Sequence, residues 1–158
     1  GILEKGMVTG MTKEVLLAIK GLQFDGNSQE DLLTVLPAEY YERNGKHYVI
    51  YEETSEDSSQ VTRSILKFRE NELSVMRKGE VSVNLLFEKG KRNLASYYTP
   101  FGELMVGIYT GSMELTEKEN ELSLQVEYDL EMNYQHLAEC RMSIELRPLQ
   151  EGLEIFEK

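Results

Sequence analysis

Few residues in this sequence offer reactive chemistry. The histidines are His47 and His136, and the one cysteine is Cys140. A nucleophilic hydrolase needs a serine or cysteine beside a base that a third group orients. No Gly-x-Ser-x-Gly elbow occurs; His47 falls in a strand just after a tight turn, and His136 in a polar turn. Cys140 alternates with Ala138 and Met142 on an apolar parity, which marks a small buried hydrophobe rather than a reactive thiol. A transition-metal centre wants clustered histidine, cysteine and carboxylate, and this sequence shows no such cluster. Asp25-Gly26-Asn27-Ser28-Gln29-Glu30-Asp31 has the look of a calcium loop but lacks its sixth-place glycine and late glutamate, so an acidic hairpin turn is the better reading. Glu52-Glu53-Thr54-Ser55-Glu56-Asp57 is likewise a solvated loop first and a cation site second. No Gly-x-x-x-x-Gly-Lys-Ser/Thr phosphate cradle is present, and no spacing singles out a pair among the 28 acids for glycoside cleavage. The expectation is a protein without catalytic residues, metal or cofactor.

Arg77 is the exception to this plainness. It shares a strand parity with Leu73 and Val75, so it points with the apolar face. A guanidinium in a dry interior is costly unless it meets a carboxylate, carbonyls, water or an anionic ligand. It therefore lies near an opening, pairs with an internal acid, or anchors an anion. Arg63 shares a parity with Val61 and Ile65 and is a weaker second case, because Leu66 and Phe68 mark the other face. Tyr98 and Tyr48 are the hydroxyls that would join Arg77 and Arg63 in such a site, or else ordinary core tyrosines. Thr99-Pro100-Phe101-Gly102 reverses the chain, with proline at the first corner and glycine late, and secondarily could shape a pocket rim.

The elements that must carry these residues are strands. Leu122, Leu124, Val126, Tyr128, Leu130 and Met132 occupy one parity, and Glu121, Ser123, Gln125, Glu127, Asp129 and Glu131 the other. Ala138, Cys140, Met142, Ile144 and Leu146 repeat the pattern against Glu139, Arg141, Ser143, Glu145 and Arg147. Period-two alternation gives one apolar and one wet sheet face. Lower-contrast strands follow at Val15 to Ile19, Leu32 to Arg43, Lys46 to Tyr51, Val61 to Phe68, Leu73 to Lys78, Val81 to Phe87, Leu94 to Thr99 and Leu104 to Thr110. Asn44-Gly45 tolerates the positive φ of a two-residue hairpin. Pro37 cannot donate to a ladder, which predicts a bulge or an edge there. About ten strands with short connections make an all-β antiparallel meander, closed into a barrel that hides its edges, with a β-sandwich as the alternative.

The chain has 158 residues, close to one domain, and roughly 70% of the unfolded surface of such a chain can be buried. Residues 11–148 read as that domain. Residues 1–10 read as an extension, natural or left by cloning, with Met11 as the native start, and residues 149–158 as a tail that docks or frays. Seventeen Lys and Arg against 28 Asp and Glu give a net charge of −11. Nucleic acid and anionic membranes draw on basic surface, and the densest basic stretch is only Lys89-Gly90-Lys91-Arg92. One cysteine, no apolar run of spanning length and no leader pattern predict a cytoplasmic protein.

The stretches Tyr40-Tyr41-Glu42-Arg43-Asn44-Gly45-Lys46-His47-Tyr48-Val49-Ile50-Tyr51-Glu52-Glu53, Val75-Met76-Arg77-Lys78-Gly79, Phe87-Glu88-Lys89-Gly90 and Tyr98-Thr99-Pro100-Phe101-Gly102 resemble those of the YwiB-like bacterial proteins. The resemblance runs from about Thr12 to Arg147. It implies a calycin-like barrel related in shape to lipocalins, a cytosolic setting, and no catalytic residues or known cofactor. Departures from secreted lipocalins are plain: there is no tryptophan for their early Gly-x-Trp signature. The arginine-x-tyrosine pair of fatty-acid-binding barrels is missing where Arg141-Met142-Ser143 stands.

The function expected is therefore a cytosolic barrel holding a small acidic or amphipathic ligand. One alternative is a protein-interaction module, with a homodimer as one form of it, presenting Tyr40, Tyr41, Tyr97 and Tyr109 on its strand faces. The other is an enzyme using carboxylates and Arg77.

Overall fold

A computed structural model describes residues 13–21, 33–54 and 59–149. The strands are β1 (Lys13–Lys20), β2 (Leu33–Arg43), β3 (Lys46–Thr54), β4 (Val61–Arg69) and β5 (Glu72–Lys78). They continue with β6 (Ser82–Glu88), β7 (Arg92–Thr99), β8 (Gly102–Lys118), β9 (Glu121–Met132) and β10 (Gln135–Pro148). Each pairs antiparallel with its chain neighbours, and β1 pairs with β10 to close a ten-stranded barrel. The sheet is single and closed, so the sandwich alternative is not what forms. Closure leaves no full-length edge to recruit another chain.

Local chemistry sets the corners. Asn44 and Gly45 both have positive φ, 53° and 77°, as a two-residue hairpin between twisted strands requires. Pro37 sits in unbroken register opposite Leu16 of β1, while the pairing of β2 with β3 begins only at Glu39. The missing N–H therefore falls on a locally unpaired side; there is an edge and no bulge. β6 and β7 share just two residue pairs, Ser82 with Tyr98 and Val83 with Tyr97, and the Asn93 side chain donates to the Leu86 carbonyl across the gap.

β8 is longer than the alternation predicts. Its inward side chains run Val106, Ile108, Thr110, then shift at an irregularity between Thr110 and Ser112, and continue as Met113 and Leu115. The extra residue reverses the parity beyond it. β9 and β10 are strands throughout, with the apolar parity inward as their alternation predicts.

Three register rows cross the wall from β3 to β6. The middle row is Val49, Leu66, Val75 and Leu85. Below it lie His47, Phe68, Leu73 and Phe87, and above it Tyr51, Ser64, Arg77 and Val83, which continues to Tyr97 on β7. Val49, Leu66, Val75, Leu124, Val126 and Ile144 are each 0% exposed, so no space of water size touches them. The waist of the barrel is packed shut with side chains that each contribute about 1.5–3 kcal/mol of burial. Along β3 to β6 the polar interior side chains stand in the rows on either side of the middle one. The acidic stretch Asp25 to Asp31 lies outside the described residues, as do 55–58 of the acidic loop and all but Leu149 of the tail.

Candidate functional site

One end of the barrel collects the β3–β4, β5–β6, β7–β8 and β9–β10 connections, and Arg77 faces into it. Arg77 pairs across the ladders with Ser64 and Val83, both buried and inward. Its guanidinium Nη2 stands 3.8 Å from Glu53 Oε1, an ion pair too long for a hydrogen bond, with side chains 23% and 38% exposed. The inward, near-mouth position expected of Arg77 is the one it takes. Tyr51 lies in the same row, buried, its phenol raised by that burial, with Ser64 and Arg77 pulling the other way. Ser64 Oγ is fully buried and has no aligned hydrogen-bond partner. Leu36, Leu104, Leu130 and Met132 are partly buried apolar side chains that pack on the core towards this end.

The other expected partners of Arg77 are elsewhere. Arg63 is opposite Glu52 and Lys78 on the outer face and exposed, because Leu66 and Phe68 hold the inward parity of β4. Tyr48 is also outward, stacked on Tyr41 with ring centroids 4.6 Å apart and with the Lys67 ammonium over its ring. Tyr98 points to solvent at 53% exposure, since Tyr97 takes the inward place opposite Val83. Tyr40 and Tyr97, expected on an outer binding face, are buried in the interior; Tyr109 is exposed and Tyr41 half-buried. Tyr51, Ser64 and Tyr97 were the interior hydroxyls to find, and register with Arg77 was the signal for them.

The opposite end holds a second polar group. His47 follows the Asn44-Gly45 hairpin and turns inward, 4% exposed, against Phe68. Its Nδ1 is 2.6 Å from the Tyr40 hydroxyl, close enough that one donates to the other. Glu42 Oε2 is 3.7 Å from Nδ1, and Glu117 Oε1 is 4.0 Å from Nε2. Burial lowers the His47 pKa, with Glu42 opposing the shift, and burial raises the Tyr40 phenol well beyond its usual value. Sequence reading saw no metal-ligand cluster, yet the fold brings one histidine and two carboxylates together here. Glu117 was hidden by the parity reversal in β8.

Cys140 is partly buried against the core, and burial raises its thiol, which keeps it protonated. His136 is exposed near Asp129, 3.8 Å away. On the outer wall Arg92 donates twice to the Glu131 carboxylate, which raises the guanidinium and lowers the acid. No helix of the described residues is long and apolar enough to cross a membrane.

A closed, ten-stranded antiparallel barrel with a packed waist and polar ends is the class this molecule defines. A family model described as a domain of unknown function (DUF1934) matches residues 17–144, and the chain belongs to that family. It is 31% identical over 116 residues to the uncharacterized beta-barrel protein YwiB of Bacillus subtilis (strain 168), covering 73% of this chain and 80% of that protein. The crystal structure of ywiB protein from Bacillus subtilis superposes with a TM-score of 0.71 at 26% identity, over 94% of this chain and 99% of that one. The resemblance in the hairpin and turn segments is thus a family membership, and the barrel is the family's fold.

Proposed function

We propose that this protein is a non-catalytic binding protein that holds a small acidic ligand, or the acidic head of a short amphipathic one, at the Arg77 end of the barrel. The observation that carries this reading is the inward guanidinium set in one row with Tyr51 and Ser64. Three features support it. The 3.8 Å separation from Glu53 lets a ligand carboxylate approach the guanidinium more closely than Glu53 does, and a carboxylate can meet arginine through two parallel bonds. The buried Ser64 hydroxyl adds a second polar group beside Tyr51 in the same row. Half-buried Leu36, Leu104 and Leu130 offer apolar surface at the same end. The packed waist limits the guest to the mouth, so a long acyl chain has nowhere to go. A single, half-buried cysteine suits a reducing cytoplasm as the setting.

Butyrate, succinate and decanoate titrated into isotope-labelled protein test this by amide chemical-shift mapping. The expected result is saturable shifts centred on Tyr51, Ser64 and Arg77 with the short acids, no gain in affinity for decanoate, and loss of the shifts in Arg77→Met. Shifts that survive Arg77→Met, or no saturable shift at millimolar acid, would overturn the reading.

A further inference from the structure

We propose that the end of the barrel opposite Arg77 is a binding site for a divalent cation of the zinc class, with His47, Glu42 and Glu117 as its protein ligands. One ligating atom from each of the three residues lies within 4.8 Å of the other two. They arrive from three places in the chain: Glu42 before the first hairpin turn, His47 after it, and Glu117 at the far end of β8. A neutral imidazole with two carboxylates is a donor set that zinc and its neighbours take, and calcium and magnesium, which favour all-oxygen shells, do not.

The imidazole is built for this role. Tyr40 engages Nδ1 at 2.6 Å, so the nitrogen turned towards Glu117 is Nε2, at 4.0 Å. When Nδ1–H donates to the Tyr40 oxygen, Nε2 carries its lone pair towards the carboxylate. A neighbour of this kind fixes the tautomer and ring orientation of a metal-ligating histidine. Zinc bonds to nitrogen and oxygen span about 2.0–2.2 Å each, so an ion at Nε2 is reached by rotation of the half-exposed Glu117 side chain across the 4.0 Å gap and by rotation of Glu42, whose Oε2 lies 3.7 Å from Nδ1. Two carboxylates this close repel each other, and a cation between them reverses that. Arg69 also borders the site but is turned to Glu72 at 3.7 Å. The site opens on a polar hollow of about 740 Å³, which gives water access to the remaining coordination positions.

Chelator-treated protein titrated with zinc chloride by calorimetry, and with cobalt chloride by visible absorption, tests the proposal. One equivalent of zinc should bind, and cobalt should give ligand-field bands. Glu117→Gln alters a half-exposed side chain and keeps the fold; it should weaken zinc binding by about tenfold or more. His47→Ala should abolish binding, with thermal unfolding recorded to establish that it folds. His136→Ala, which removes the exposed histidine, should change nothing. No zinc uptake by the parent protein would overturn the site. So would equal affinity in Glu117→Gln and Glu42→Gln, or a loss of binding in His136→Ala. None of these outcomes bears on the carboxylate titrations at Arg77.

Discussion

The two ends of this barrel are made from the same strands and do opposite things with charge. At one end β4 and β5 turn Ser64 and Arg77 inward, placing a cation among hydroxyls. At the other, the start of β3 and the end of β8 turn His47 and Glu117 inward beside Glu42, placing an imidazole between acids. Inward positions on a strand recur every two residues, or about 6.6–6.8 Å. Only one row, with Val49, Leu66, Val75 and Leu85, separates the two polar layers along the wall. That row is almost wholly buried, so the two ends are sterically separated along it. A barrel packed in this way has a polar group at each end of this wall in place of one deep cavity.

The waist should therefore carry the stability and the ends should carry little. Leu66 stands in the middle row between Val49 and Val75 and is 0% exposed. Leu66→Ala should cost about 2–5 kcal/mol in urea unfolding, through lost burial and the cavity left behind. A cost under about 1 kcal/mol would mean the interior collapses readily, in conflict with a rigid packed waist.

Arg77→Met makes the contrasting case. Both members of its pair with Glu53 are partly exposed and 3.8 Å apart. A screened pair of that kind is worth about 0–1 kcal/mol, so urea midpoints should shift little. A loss above about 2 kcal/mol would show that Arg77 is chiefly structural and that the two ends differ less than their chemistry suggests.

How much of this was legible in the sequence depends on phase. The fold was readable because β9 and β10 keep strict alternation over their whole apolar parity. Arg77 was readable for the same reason, standing in phase with Leu73 and Val75. His47 shares its parity with Val49 and Tyr51, and Glu42 with Tyr40, so their inward turn was available too. Glu117 was not. The irregularity at Thr110 and Ser112 reverses the inward parity, so the pattern set by Val106 and Ile108 places Glu117 outside when it is inside. The choice of Tyr98 over Tyr97, and of Tyr48 and Arg63 at all, failed because proximity in sequence to an interior residue says nothing about facing it. Cross-strand register decides that, and register is fixed by turns and pairings outside the local segment.

The smallest expected difference between the ends is in their response to mild acid. His47 has its pKa lowered by burial, while the unfolded chain holds it near about 6.5. A lowered folded-state pKa means that the unfolded form takes up its proton first. The stability that neutral His47 provides is complete above the unfolded pKa and is lost as pH falls through the folded one. Tyr40 and Glu42 from β2 and Glu117 from β8 face the ring, and Glu42 partly offsets the loss by favouring the imidazolium. Arg69 and Glu70 border the same hollow from the β4–β5 turn. Urea melts of metal-free protein between pH 7 and about 5 should show stability falling. Amide shifts over the same range should move first around His47 and leave the row of Tyr51, Ser64 and Arg77, which contains no histidine, in place. A flat stability profile would mean that burial does not set His47 apart between the folded and unfolded chain, and acid-induced shifts that begin in the Arg77 row would mean that the two ends are coupled through the waist.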